Sequence, residues 1–137
     1  MNPASLRLAA ALAVTLAIAA CVRVDRTLPD GRVERVPRAE LPSYAQTVFK
    51  QRNAVSTEYL VRTPEIADDD AAVTADLDAA ERRMDDACAP VDALAIAYRD
   101  GQDVGLRAKL RLAQALEPCA VATSAADQAL KDALAAK

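Results

Sequence analysis

Two apolar stripes with helical spacing constrain this chain more than any other feature. Val73, Leu77, Ala80, Met84, Cys88, Val91, Leu94, Ala95 and Tyr98 recur by threes and fours. Beyond Gly101 the series resumes as Leu106, Leu110, Ala113, Leu116, Ala120, Thr123, Ala126, Leu130 and Leu134. That interval lines one face of a helix, whereas a half-buried strand would alternate. Pro90 and Pro118 interrupt the stripes without changing their phase, so the spacing predicts two long helices kinked at those prolines. A break after Cys88 is the competing reading, because Ala89 precedes a proline and is biased away from helical geometry. Gly101 suits the left-handed residue that ends the first of these helices, and Asp103 suits the cap of the second.

A shorter stripe precedes them. Tyr44, Val48, Val55 and Tyr59, flanked by Phe49 and Leu60, predict a helix from Ser43 to about Val61, with Ser43-Tyr44-Ala45-Gln46 as a capping box. Thr63-Pro64 reads as the start of the next helix, where Glu65, Asp68, Asp69 and Asp70 would meet the positive end of its dipole. The expected fold is therefore all-α: an antiparallel bundle of about three helices over 43–137. Residues 21–42 precede it as an extended tether. Within the tether, Pro29-Asp30-Gly31 marks a turn, around which Val22, Val24 and Leu28 can face Val33 and Val36 as a short hairpin. Pro37 and Pro42 stop that ladder from growing.

The stripes also align two cysteines. Counted outward from the turn near Gln102, Cys88 lies fourteen residues back and Cys119 seventeen residues on. The offset is about 4.5 Å of helical rise, so an antiparallel pair brings both thiols to nearly one level. A Cys88–Cys119 disulfide is expected, closing a loop that stabilises by about 3 to 4 kcal/mol in the chain-entropy model. Such a staple offsets a seam rich in alanine, which lets helices approach closely but supplies little area to bury.

The N-terminus carries an address. After Arg7, Leu8 to Ala20 is an uncharged run of about 13 residues, short of the roughly 17 to 25 that span a bilayer as a helix. Residues 1–20 thus read as a cleaved export signal. Its end, Ile18-Ala19-Ala20-Cys21, resembles the lipobox of bacterial prolipoproteins, with Ile18 where that family prefers Leu. The resemblance covers residues 1 to 21 and implies that Cys21 becomes an acylated N-terminus and that palmitate-type chains hold the protein on a membrane. By the family's sorting rule, Val22 in place of Asp implies the outer membrane, periplasmic face, rather than the inner one. Ala17-Ile18-Ala19 also fits a conventional signal-peptidase site. Cysteine parity favours the lipobox: with Cys21 acylated, Cys88 and Cys119 remain as an even pair in an oxidising compartment.

Charge is uneven. Residues 22–62 hold eight basic and five acidic side chains, and residues 63–137 hold eight basic and fifteen acidic. The half nearer the lipid is thus the half suited to anionic headgroups, or else an ordinary solvated mixture.

Little in the sequence points to catalysis. The chain has no His and no Trp, so the commonest general base and metal ligand are missing, and three Tyr and one Phe leave few stacking platforms. Ser43 and Ser56 have no His to activate them, and three Gly supply no phosphate loop. Asp68-Asp69-Asp70 lacks the alternate ligands, glycine and distal Glu of a calcium loop, so no metal, cofactor or catalytic residue is expected. Arg107, Lys109 and Arg111 form a basic cluster too poor in aromatics for nucleic acid. It is expected to pair with the acidic helix before it. Tyr44, Phe49, Tyr59 and Tyr98 are expected in the core, with interface anchors as the alternative. The functional expectation is a lipid-anchored, non-catalytic accessory that binds another component of the cell envelope. A self-associating spacer and an inhibitor of a periplasmic enzyme are the other readings.

Overall fold

The computed structural model describes residues 23–28, 30–67 and 71–136. The signal segment 1–20, Cys21 and Asp68–Asp70 lie outside the described residues. Strands β1 (Asp25–Thr27) and β2 (Val33–Arg35) come first, followed by a single 3-10 turn, Arg38–Glu40. Three helices complete the chain: α1 (Leu41–Ala67), α2 (Ala71–Arg99) and α3 (Leu106–Ala135). The all-α bundle expected from the stripes is the fold observed.

Cross-helix contacts set the directions. The Tyr59 hydroxyl of α1 donates to the Ala126 carbonyl of α3 at 2.9 Å. The Arg52 guanidinium of α1 meets Asp85 at 2.9 Å and Asp92 at 3.1 Å, both on α2. Leu41 at the start of α1 lies beside Tyr98 at the end of α2 and Lys109 at the start of α3. α1 therefore runs antiparallel to α2 and parallel to α3. Where α2 and α3 face each other, Cys88 and Cys119 are joined by a disulfide with Cα atoms 4.6 Å apart. Both cysteines are fully buried. The buried Thr123 hydroxyl lies 3.7 Å from the Cys88 sulfur, which explains a polar side chain in an apolar stripe.

Three prolines sit inside continuous helices, Pro64 in α1, Pro90 in α2 and Pro118 in α3. A proline frees the carbonyl four residues earlier. Those residues are Leu60, Asp86 and Gln114, all exposed, so the freed carbonyls lie on the wet face of each helix. This placement corrects the expected start at Thr63-Pro64. α1 continues to Ala67, α2 begins at Ala71, and Glu65 lies in the last turn of α1. The expected capping box is corrected as well. Ser43 is already inside α1, where its carbonyl accepts from the Thr47 hydroxyl at 3.0 Å, and the 3-10 turn leads directly into the helix.

Gly101 does end α2, at φ +67°. The Gln102 N–H donates to the Ala97 carbonyl and the Gly101 N–H to the Tyr98 carbonyl, which is the Schellman pattern. Asp103 is not the cap of α3: that position belongs to Gly105, which offers no side-chain cap.

The hairpin forms. Asp25, Arg26 and Thr27 pair with Arg35, Glu34 and Val33, and Gly31 takes φ +81° in the turn. Two strands alone are marginal in water. These are not alone, because Val24 and Val36, joined by a backbone hydrogen bond, are buried in the same apolar core as Val48, Tyr59 and Leu116. The segment expected as an extended tether is thus pinned to the bundle at Val24 and Val36, while Asp30, Gly31 and Arg32 of its turn are exposed.

The core follows the stripes with local departures. Leu77, Met84, Cys88, Val91 and Leu94 of α2 are buried, as are Leu116, Cys119, Thr123, Ala126 and Leu130 of α3. Three members or neighbours of the stripes are exposed instead: Leu60, Tyr98 and Leu106. Tyr59 is fully buried, whereas Tyr44 and Phe49 are half-buried against the core.

Candidate functional site

At the end of the bundle that holds the α2–α3 loop, the three helices stand apart around an open cleft of about 550 Å³. α1 contributes Leu41, Ala45 and Phe49 from one face at four-residue spacing. α2 contributes Val91, Leu94 and Tyr98, all beyond Pro90. α3 contributes Lys109, Leu112 and Leu116, all before Pro118. The lining is aliphatic and aromatic, with Lys109 its one charged side chain. Such a surface can hold an apolar chain or the apolar face of a partner, and it offers no pair of groups for proton transfer.

The rim is basic. Arg38 precedes α1, and Arg107, Lys109 and Arg111 occupy the first turns of α3, all exposed. Among the described residues, none of the four has a carboxylate within ion-pair distance. This corrects the expectation that the α3 cluster pairs with α2. The cation that bridges to α2 is Arg52, from α1.

Many of the other charges are answered locally. In the hairpin, Arg23 pairs with Asp25, Arg32 with Asp30, and Arg26 with both Glu34 and Glu40. Two hydrogen bonds from Arg32 hold the Asp30 carboxyl below its usual range. Much of the positive charge of residues 22–62 is therefore spoken for, Arg62 by Glu58 and Glu65 included. Among the described residues, the basic side chains without an ion pair are Arg38, Arg107, Lys109 and Arg111 toward the cleft end, and also Arg35 of β2, Lys50 of α1 and Arg82 and Arg83 of α2.

The middle and far end of the bundle are acidic. Asp76, Asp78, Glu81, Asp85 and Asp86 outnumber Arg82 and Arg83 along the first half of α2. Burial, then the neighbouring Asp85 and Asp78, raise the Glu81 carboxyl above its ordinary value. Burial also raises Asp92, against the pull of Arg52. Tyr59, buried and near Glu81 and Asp127, is pushed up to about 12. Among the described residues, no group of three or more acidic or cysteine side chains is arranged to hold a metal ion. No described helix is long and apolar enough to cross a membrane.

Of the residues singled out from sequence, the structure joins Cys88 to Cys119 and brings Phe49, Tyr98 and Lys109 to one cleft. Ser43 and Ser56 both lie on α1. Leu41, Ala45, Leu112 and the Arg52 bridge escape a reading of the sequence. A signal for Leu112 is nonetheless present: a helix packed between two others needs a second apolar row beside its main stripe. Compared with protein-family models, curated proteins and solved structures, the chain matches none.

Proposed function

We propose that this protein is a lipid-anchored accessory of the bacterial cell envelope, held by acylated Cys21 and facing the periplasm, that binds another envelope component without catalysing a reaction. One observation carries the reading. The structure pairs Cys88 with Cys119, and the cysteine left over is the one at the end of the lipobox-like Ile18-Ala19-Ala20-Cys21. A buried disulfide belongs to an exported protein, and an odd thiol there calls for a fate. Acylation supplies one, and two or more chains anchor stably where a single chain does not. Val22 after the cysteine supports the outer membrane.

The surface supports binding rather than chemistry. The cleft is lined mainly by apolar side chains, and many of the charged groups outside it are joined in ion pairs. The test is chemical cross-linking in intact envelopes followed by purification of the acylated protein. A foreign protein recovered at a fixed ratio is the expected result. Recovery of cross-linked copies of this chain alone would overturn the accessory reading in favour of a self-associating spacer.

A further inference from the structure

The cleft end of the bundle departs from local rules in several ways at once. The partial positive charge at a helix N-terminus favours acidic side chains. α3 has no acidic residue in its first turn, and its opening turns instead carry Arg107, Lys109 and Arg111, without ion-pair partners among the described residues. Its cap is a glycine with no capping side chain. Its first residue, Leu106, is 68% exposed, and Tyr98, across the loop, is 60% exposed. A sequence that breaks helix preferences in one place is marking a surface used for something else.

The route of the chain says what that surface meets. Val24 is 3% exposed within the core and follows Cys21 by three residues, a length of chain that spans at most about 11 Å. Arg26 reaches Glu40 at 3.6 Å, and Glu40 directly precedes Leu41 of the cleft wall. From Arg26 back to Cys21, an extended chain spans at most about 18 Å. The 30 residues of α3 extend about 45 Å, so the acidic far end lies beyond that reach.

We propose that the cleft end is a membrane-docking surface, seated on the anionic leaflet that holds the acyl groups of Cys21. Tyr98, Leu106 and the cleft walls enter the headgroup boundary, where an aromatic ring with a polar tip is at home. Arg38, Arg107, Lys109 and Arg111 meet phosphate groups around them and outnumber the exposed Asp103 and Asp100, the latter already paired with Arg99. The acidic half of α2 then points away from the lipid, by repulsion as well as by distance. Only the sides and the far end remain open to a protein partner. The inference rests on the acyl anchor for its orientation, but the surface itself is testable without it.

Because the chain has no Trp, a single introduced indole is a clean depth probe. Tyr98→Trp and, at the far end, Asp76→Trp are both exposed substitutions. The full acylated proteins are incorporated into vesicles of phosphatidylethanolamine and phosphatidylglycerol, with and without brominated acyl chains. Bromine is expected to quench the indole of the Tyr98→Trp protein several-fold and to leave that of the Asp76→Trp protein within about a tenth of its unquenched emission. Adding Arg107→Gln, Lys109→Gln and Arg111→Gln to the Tyr98→Trp protein is expected to remove most of the quenching. Equal quenching of the two probes, or no quenching of the probe at position 98, would overturn the proposal, and Leu106→Trp checks the same surface from α3. Intact mass of each sample reads acylation separately. An unacylated chain that still shows selective quenching at position 98 retains the docking surface and overturns the anchor. An acylated chain without that selectivity retains the anchor and overturns the surface.

Discussion

Tyr59 shows how much one side chain can report. Its ring is buried between α1 and α3, and its hydroxyl is tied to the Ala126 carbonyl. Burial makes the phenolate hard to form, so the folded group titrates at about 12 while an unfolded tyrosine titrates near 10. Between those values the unfolded chain has lost the proton that the folded chain keeps. Stability therefore falls as pH rises from about 10, by up to about 3 kcal/mol at the top of the window. Tyr59→Phe should lower stability at pH 7 by about 1 kcal/mol and flatten that alkaline decline, as read by urea melts at pH 7 to 11. Arg52 holds a comparable position between α1 and α2. Arg52→Met keeps much of the stem but leaves Asp92 partly buried without its cation, and should cost about 1 to 3 kcal/mol in the same melts. Glu81 acts in the opposite sense. Because its folded carboxyl is harder to ionise than its unfolded one, its charge opposes folding at neutral pH and ceases to do so as the pH drops toward the usual carboxylate range. Glu81→Gln should melt slightly above the parent protein at pH 7, and the gap should close by about pH 4. A gap independent of pH would mean that its raised value has another origin.

At the scale of elements, the disulfide and the prolines share one region of the bundle. Cys88–Cys119 fixes α2 against α3 beside Pro90 and Pro118, and the cleft opens on the loop side of both. Cys88→Ser with Cys119→Ser should lower stability by about 3 to 4 kcal/mol, measured by chemical denaturation against the oxidised parent. These elements were largely legible from residue spacing. The stripes, the level pairing of the cysteines and the left-handed Gly101 follow from helical period and turn chemistry alone. The boundaries around Ser43, Thr63 and Asp103 were not, because short polar residues signal a cap only where the backbone actually ends. At Pro64 the freed Leu60 carbonyl faces water, so the helix runs on through it. The cleft was half legible. Phe49, Tyr98 and Lys109 stood out by type, but Leu41 and Leu112 join them only through the way three helices diverge, which no single helix encodes. The hairpin's burial was hidden for the same reason: Val24 and Val36 look like residues of a linker until a helix surface is present to cover them.

For the whole molecule, the arrangement resolves into a charge axis along a stapled bundle. One end gathers cations without carboxylate partners, among the described residues, around an apolar cleft near the start of the folded chain. The other carries the acidic run of α2, in which Arg82 and Arg83 are the minority, and on α3 Asp132 and Asp127, the latter paired with Lys131. Because the packed chain begins at Val24, only a short stretch separates the fold from Cys21, and a stretch that short limits orientation as well as distance. Inserting about ten Gly/Ser residues between Val22 and Arg23 should leave stability within about 0.5 kcal/mol while reducing any activity that depends on that orientation. The functional reading turns on a chain anchored through Cys21 and stapled through the other two cysteines. Intact mass of the protein from the membrane fraction, alkylated before and after reduction, tests this most directly. An anchored and stapled chain has the mass of residues 21–137 plus acyl groups, with two alkylations that appear only after reduction. An unacylated chain beginning at Ala20, or thiols that alkylate without reduction, would contradict it.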